Sequence, residues 1–212
     1  MQTLLAINTS PMTRTAVTRR LVEAFLSSWK IRFPGGRIIR RDLGVEPPPH
    51  PDERSLLAFS KPVEALTDAD REALQVSDEL VSELIAADHV VIGSPMYNFT
   101  VTSGLKAWID LIGRPGKTFD YTAEGPIGLL RGKQVFVLTA RGGFYADGGP
   151  NGDLDFQESF LRSYFGFLGI DQVHFVHAEG QGIDPETARE KEAEAIQSLE
   201  ALFAEGRVRQ VA

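Results

Sequence analysis

The chain has 212 residues, 42% of them hydrophobic and 24% charged, with no cysteine and a net charge of −7. That size and balance describe one soluble globular domain over 1–212, and the charge argues against nucleic acid or an anionic membrane as partner. No apolar run approaches the roughly 18 residues that span a membrane, and disulfides, thiol nucleophiles and Cys-ligated clusters are excluded. The first residues lack a basic stretch before an apolar one, so no signal peptide is read, and with the missing cysteines this points to the cytoplasm.

Residues 3–7 read as a short apolar strand. The connection behind it is rich in hydroxyls (Thr9, Ser10, Thr13, Thr15), and Thr18 follows at the start of a helix. The helix shows an apolar face of Val17, Leu21, Phe25 and Trp29 at four-residue spacing, widened by Leu26. Burying each large side chain contributes about 1.5–3 kcal/mol, enough to anchor the helix to a sheet. Hydroxyls and free N–H groups at a helix N-terminus form an anion site, which Arg14 assists; plain N-capping is the alternative. Neither a Gly-x-Gly-x-x-Gly fingerprint nor a Gly-Lys-Ser/Thr loop is present. Residues 37–41 form a second strand, an edge by its flanking arginines. The connection 42–66 carries Pro47-Pro48-Pro49-His50-Pro51 and reads as an ordered flap or a flexible segment. Thr67-Asp68-Ala69-Asp70 opens a helix like a capping box, with Leu66 as staple and Leu74, Leu80, Val81, Leu84 and Ile85 on its apolar side.

Val90, Val91 and Ile92 have the composition of a strand buried on both faces. Gly93 and Ser94 close it, and Pro95 cannot continue a ladder, so the chain is expected to leave the sheet there. Met96, Tyr97, Asn98 and Phe99 follow at the strand's carboxyl end. Such a run suits a flat, heteroatom-rich ring, with aromatic side chains on its faces and the amide at its edge. Aromatics folded back into the core are the alternative. A helix over 103–112 ends at Gly113-Arg114-Pro115-Gly116. Residues 118–122 alternate like a strand, turn at Glu124-Gly125-Pro126 and return through 127–130, a small hairpin whose Phe119 and Tyr121 overhang a site. Residues 134–140 are the fourth strand of the main sheet, ended by Arg141-Gly142-Gly143. Paired glycines there allow a ligand close to the backbone and offer N–H donors; a tight turn is the alternative.

The stretch 147–155 lacks the glycine that a calcium loop needs at its sixth position, and reads as a solvated turn. A helix over 156–168 carries Phe156, Phe160, Tyr164, Phe165 and Phe167, and residues 172–178 form strand five. His174 and His177 lie three apart on it and point to opposite faces, and no metal site is assigned. Asp184-Pro185 caps and begins the last helix, with Ile196, Leu199, Leu202 and Phe203 inward.

Five strands alternating with helices predict an α/β, doubly wound parallel sheet with a small hairpin insertion. The flavodoxin-like order 2-1-3-4-5 fits best and puts the switch point between strands one and three. It gathers the Ser10 loop, 96–99 and 141–143. An anion site beside an aromatic–amide clamp describes FMN, a phosphate joined through a ribityl chain to a flat tricycle.

In these residues the chain resembles, nearly end to end, the FMN-dependent NADH-azoreductases, also described as NADH:quinone oxidoreductases. Met96-Tyr97-Asn98-Phe99 matches the family's flavin-contact run and Arg141-Gly142-Gly143 its glycine loop. Ser77-Asp78-Glu79-Leu80, Phe119-x-Tyr121-Thr122, Gly166-Phe167-x-Gly169 and Ala178-Glu179-Gly180 also fit. By position, the resemblance implies Ser10, Ala16, Val17 and Thr18 at the phosphate. It implies Pro95, Met96, Tyr97, Asn98 and Phe99, with Ala140, Arg141, Gly142 and Gly143, at the ring. Phe119, Tyr121, Tyr145 and Phe167 would form the substrate pocket. The chain departs from the family at Ala16-Val17-Thr18, where Ser-x-Ser is frequent, at Tyr145, where some relatives carry His, and at Ala140, where Ser is common.

The resemblance implies a homodimer that passes a hydride from NADH or NADPH through flavin N5 to a quinone or azo bond, with ping-pong kinetics and no catalytic side-chain acid. Lys61, Arg54 and Arg141 stand as partners for an NADPH phosphate. A flavodoxin-like electron carrier and a non-enzymatic FMN-binding module stay open as alternatives.

Overall fold

The computed structural model describes residues 1–146 and 148–211. In chain order the main elements are β1 (Thr3–Asn8), α1 (Val17–Arg32), β2 (Arg37–Asp42), α2 (Glu53–Phe59) and α3 (Asp68–Ala86). They continue with β3 (His89–Pro95), α4 (Ser103–Ile112), β4 (Phe119–Thr122), β5 (Gly125–Gly128) and β6 (Gln134–Ala140). The chain closes with α5 (Phe156–Phe167), β7 (Gln172–Ala178) and α6 (Pro185–Ala204). The main sheet is parallel, in the order β2-β1-β3-β6-β7, and β4-β5 is a separate antiparallel hairpin. The expected 2-1-3-4-5 order and hairpin insertion are therefore both present.

All seven residues of β3 are buried, as a strand covered by helices on both faces must be. One face packs Leu4, Ala6, Val91, Phe136 and Leu138 against α1 and α6. The other packs Leu5, Ile7, Val90, Ile92, Val135 and Val137 against α3, α4 and α5. The edge strand β2 is blunted by charge: Arg40 pairs with Glu23, and Arg41 with Glu79 and Glu83. Among the described residues no helix is long and apolar enough to cross a membrane.

Helix starts follow their caps. The Asp52, Thr67, Thr102, Asp155 and Asp184 side chains each accept from first-turn amides of the helix that follows. Thr67 and Asp70 form the expected capping box.

Four expectations are corrected or sharpened. Ile85 is 47% exposed on α3, because Leu80, Val81 and Leu84 already fill the side facing the sheet. Of the two readings of the connection 42–66, ordered or flexible, the ordered one holds over 52–59, where an Asp52–Ser55 capping box starts α2. Pro95 is the last residue of β3, so the chain leaves the sheet there as expected, but Pro95 itself still sits in the ladder, opposite Ala140 of β6. Its missing N–H costs nothing there, since β1 pairs only as far as Gly93, and the next amide, Met96 N–H, donates to Ala140 O at 2.9 Å. The turn expected over 147–155 is not simply solvated. Asp147 lies outside the described residues, while Asp155 caps α5 and pairs with Arg141 at 2.8 Å.

Candidate functional site

Three connections leave the carboxyl ends of the adjacent strands β1, β3 and β6, at the switch point of the sheet. In the first, Ser10 is buried and its hydroxyl accepts from Met12 N–H at 3.2 Å. The helix behind it is started differently from α2–α6: Ala16 at its N-cap supplies no side-chain acceptor. The first-turn amides at Val17 and Thr18 thus keep the partial positive charge of the helix end. Thr18 is buried, its hydroxyl without a partner among the described residues, and Thr9 is spent on the strand, donating to Gly93 O at 2.9 Å.

Sequence reasoning passed over the residues that brace this loop. Arg19 forks onto Asp42 at 2.6 and 2.8 Å and also donates to Ser10 O at 2.6 Å. Asp42 accepts in turn from Gly44 and Val45 N–H. Burial pushes the Asp42 carboxyl up, but the Arg19 pair and these amides outweigh it and hold it below the usual carboxylate range. One signal was legible. A basic residue in a helix's first turn opposes the dipole, and such a local conflict points to a compensating partner.

The second connection is a tight turn. Tyr97 and Thr100 exchange both backbone hydrogen bonds, at 2.9 and 3.1 Å, and the two residues between them, Asn98 and Phe99, have φ of 49° and 69°. Two successive non-glycine residues in the left-handed region cost free energy that the surroundings must offset, a feature concentrated at ligand sites. The strain turns both aromatics outward: Tyr97 is 41% and Phe99 43% exposed, so neither folds back into the core.

In the third connection the carbonyls of Arg141, Gly142 and Gly143 accept from the amides of Gln181, Gly182 and Gly180, each at 2.9 Å. Among the described residues the Gly142 and Gly143 amides have no acceptor. A Cβ added at Gly142 would meet nothing within 4 Å, so its surface faces open space. Arg141 itself is a correction. Its side chain is fully buried, bound to Asp155 at 2.8 Å and 3.5 Å from Glu179, so its guanidinium is no partner for an NADPH phosphate. Lys61 is likewise engaged, with both oxygens of Asp70 at 2.8 Å. Only the backbone of Arg141 reaches the site edge.

The four residues expected to form one substrate pocket fall into two clusters. Phe119 is buried, 4.7 Å from the Phe167 ring and 5.4 Å from that of Tyr121, and so anchors the hairpin to α5. Tyr121 is 69% exposed above it. Tyr145 instead stands edge-on to Phe99, with ring centroids 6.2 Å apart. Among the described residues no ring pair links the two clusters.

A hollow of about 520 Å³ behind the glycine loop is lined by Ala146, Asp155, Glu158, Arg162 and His177 among others. The His177 hydrogen bond, joined by Arg162 and opposed by burial, holds the Glu158 carboxyl down to about 2. Its charges pair with one another, and among the described residues no three metal-ligating side chains converge anywhere.

The family description "Flavodoxin-like fold" matches residues 2–202. The FMN-dependent NADH:quinone oxidoreductase 3 of Pseudomonas aeruginosa is 46% identical over 209 residues, covering 95% of this chain and 96% of that protein. The crystal structure of an azoreductase from Bacillus anthracis superposes with a TM-score of 0.86 at 31% identity, over 95% of this chain and 98% of the other. A second B. anthracis structure, an FMN-dependent NADH-azoreductase in complex with FMN, gives 0.83 at 28% identity, over 95% and 99%. The chain belongs to the family of the FMN-dependent NADH:quinone oxidoreductases, on the flavodoxin-like fold.

Proposed function

We propose that this protein binds FMN and catalyses two-electron reduction of quinones and azo compounds by NADH. The observation that carries the reading is the meeting, at one switch point, of an uncapped helix N-terminus, a strained aromatic turn and a glycine pair with unbonded amides. The residues fit the group. Ser10 and the amides of Ala16, Val17 and Thr18 suit a phosphate. Pro95, Met96, Tyr97, Asn98 and Phe99, with Ala140, Arg141, Gly142 and Gly143, suit a flat ring whose polar edge needs donors.

FMN, when bound, supplies hydride acceptance from the nicotinamide and delivery to the acceptor. The protein's part is binding, orientation and electrostatics. The Gly142 and Gly143 amides are fixed before reaction by the 180–182 segment, so they meet negative charge at the ring edge without reorganising. The outward Tyr97 and Phe99 rings exclude water beside the ring face and offer a flat acceptor surfaces to stack on. No side chain need act as acid, and cysteine-free composition suits the cytoplasm.

Ping-pong kinetics follow from one shared face. Double-reciprocal plots for NADH at several quinone concentrations are expected to be parallel; intersecting lines refute the shared face. The same experiment separates the enzyme from an electron carrier or a passive FMN-binding module, neither of which turns over NADH with quinone.

The working form is a homodimer. In its support, Tyr121, Phe156 and Phe167 are exposed, and an apolar hollow of about 350 Å³ lies among Thr100, Val101, Lys106, Phe156 and Phe160. Covered by a second copy, the Phe119–Tyr121–Phe167 cluster lines the substrate pocket near the interface. Sedimentation equilibrium is expected to give twice the chain mass at micromolar concentration; a monomer mass overturns it.

A further inference from the structure

Segment 141–146 is held chiefly by two devices, beside the Phe144 and Ala146 carbonyls, which accept from Asn151 and Gly149 N–H at 3.3 and 2.8 Å. As far as Gly143 it is racked by backbone alone, through the three carbonyls bonded to Gln181, Gly182 and Gly180. Past Phe144, two amides depend on a side chain: Tyr145 and Ala146 N–H both donate to the same oxygen of Glu179, at 2.7 and 2.9 Å. Glu179 stands between the end of β7 and Gly180, whose φ of +67° strains any side chain and whose Cβ would lie a tight 3.0 Å from the Phe144 ring. Its charge is met by Arg141, a fully buried guanidinium with Asp155 on the same nitrogen. Asp155 in turn caps α5, so the loop, the helix and the strand end share one buried ionic centre. Tyr145, whose backbone Glu179 pins, is the residue that faces Phe99 across the site edge.

We propose that Glu179 is a positioning residue for the electron acceptor: it holds Tyr145 opposite Phe99, so that these two rings form one wall of the acceptor pocket. The cofactor's donors, Gly142 and Gly143, lie on the rack and do not depend on it. This rests on the reading that a quinone stacks against the flavin ring beside Tyr145. A carboxylate accepting two amides and facing a guanidinium fixes backbone more tightly than a neutral acceptor does, since charge-assisted hydrogen bonds are the stronger kind. Freeing the loop moves the wall by an ångström or so, a displacement large enough to weaken productive stacking without opening the cofactor cradle.

The test compares FMN-loaded wild type, Glu179→Gln, Glu179→Ala, Tyr145→Ala and the Glu179→Ala/Tyr145→Ala pair. FMN dissociation constants come from flavin fluorescence, KM and kcat from turnover with a 1,4-naphthoquinone, and flavin reduction by NADH alone from stopped flow. In Glu179→Ala, KM for the quinone is expected to rise about tenfold while the FMN dissociation constant stays within about twofold of wild type. Glu179→Gln, which still offers an oxygen to both amides, recovers part of that loss. On the Tyr145→Ala background the Glu179→Ala effect is expected to shrink, because both changes remove the same wall. Where Glu179→Ala does not fold, Glu179→Gln carries the same cycle with Tyr145→Ala. Equal rises in FMN dissociation constant and KM, strictly additive effects, or an unmoved KM each overturn the proposal. Wild-type protein that holds FMN without reducing the quinone overturns the functional reading, and this proposal with it.

Discussion

Gly142 separates the fold from the site more cleanly than any other position, because its side-chain direction is empty of protein. A Cβ built there has no neighbour within 4 Å, and its backbone is outside the left-handed region that favours glycine. Gly142→Val therefore creates no internal clash, and by restricting the unfolded chain it changes apo stability by no more than about 1 kcal/mol. The cost falls on the ligand. A ring resting on the Gly142 backbone at van der Waals distance has no space for three added carbons, and such overpacking costs about 1–3 kcal/mol. That corresponds to an FMN dissociation constant raised about 5- to 150-fold. Gly142→Ala, with one added carbon, falls between. The assay is FMN titration of the apo-protein by fluorescence quenching, with a thermal melt of the same apo sample. An FMN dissociation constant within twofold of wild type would refute the placement of the ring. A loss of more than about 5 °C in the apo melting temperature would refute the claim that the Cβ direction is empty.

Other outcomes follow from the same geometry. Ser10→Ala is expected to weaken FMN by about 1–3 kcal/mol through loss of a charge-assisted hydrogen bond, and to leave riboflavin, which lacks the phosphate, nearly unaffected; equal losses for both would move Ser10 out of the phosphate site. Arg19→Met frees Ser10 and leaves Asp42 unneutralised, so it too is expected to weaken FMN more than riboflavin, with Arg19→Lys restoring only part; isothermal titration with both ligands decides it. Burial pushes the His89 imidazole below its ordinary range: Nδ1 accepts from Trp29 Nε1–H and Nε2 donates to Arg209 O, so no nitrogen remains for an extra proton. The unfolded chain then binds that proton more readily than the folded one, and stability is expected to fall as pH drops below about 6.5. His174, also lowered by burial, adds to the same slope, so His89→Phe is expected to make it shallower without abolishing it; melts between pH 7.5 and 5.5 with an unchanged slope would refute this.

What could be read from the sequence was local. The β-branched run before Gly93, the hydroxyl loop before Val17 and the capping sequences at Thr67 and Asp184 each encode their structure within a few residues. Strand order then followed from chirality and alternation rather than from any one contact. The aromatic–amide run 96–99 was legible as a ligand segment, but its cause was not. Asn98 is of a type that tolerates the left-handed region, but nothing in Phe99 announces a second such residue, and the Tyr97–Thr100 bridge closes the turn that requires both.

The misreadings share a physical origin, which Arg141 shows best. An arginine next to two glycines at a strand's carboxyl end has the composition of a phosphate contact, and by composition alone that is a sound inference. Its fate is decided by Asp155 and Glu179, which lie 14 and 38 positions further along the chain and converge on it only once α5 and β7 are in place. The same holds for Ile85, left outside because Leu80, Val81 and Leu84 filled the face first. The buried arginine is nonetheless more informative than an exposed one would have been. A guanidinium whose Nε and one terminal nitrogen lack partners among the described residues is a costly thing to bury, and the fold keeps it where it can balance the carboxylate that holds Tyr145 in place.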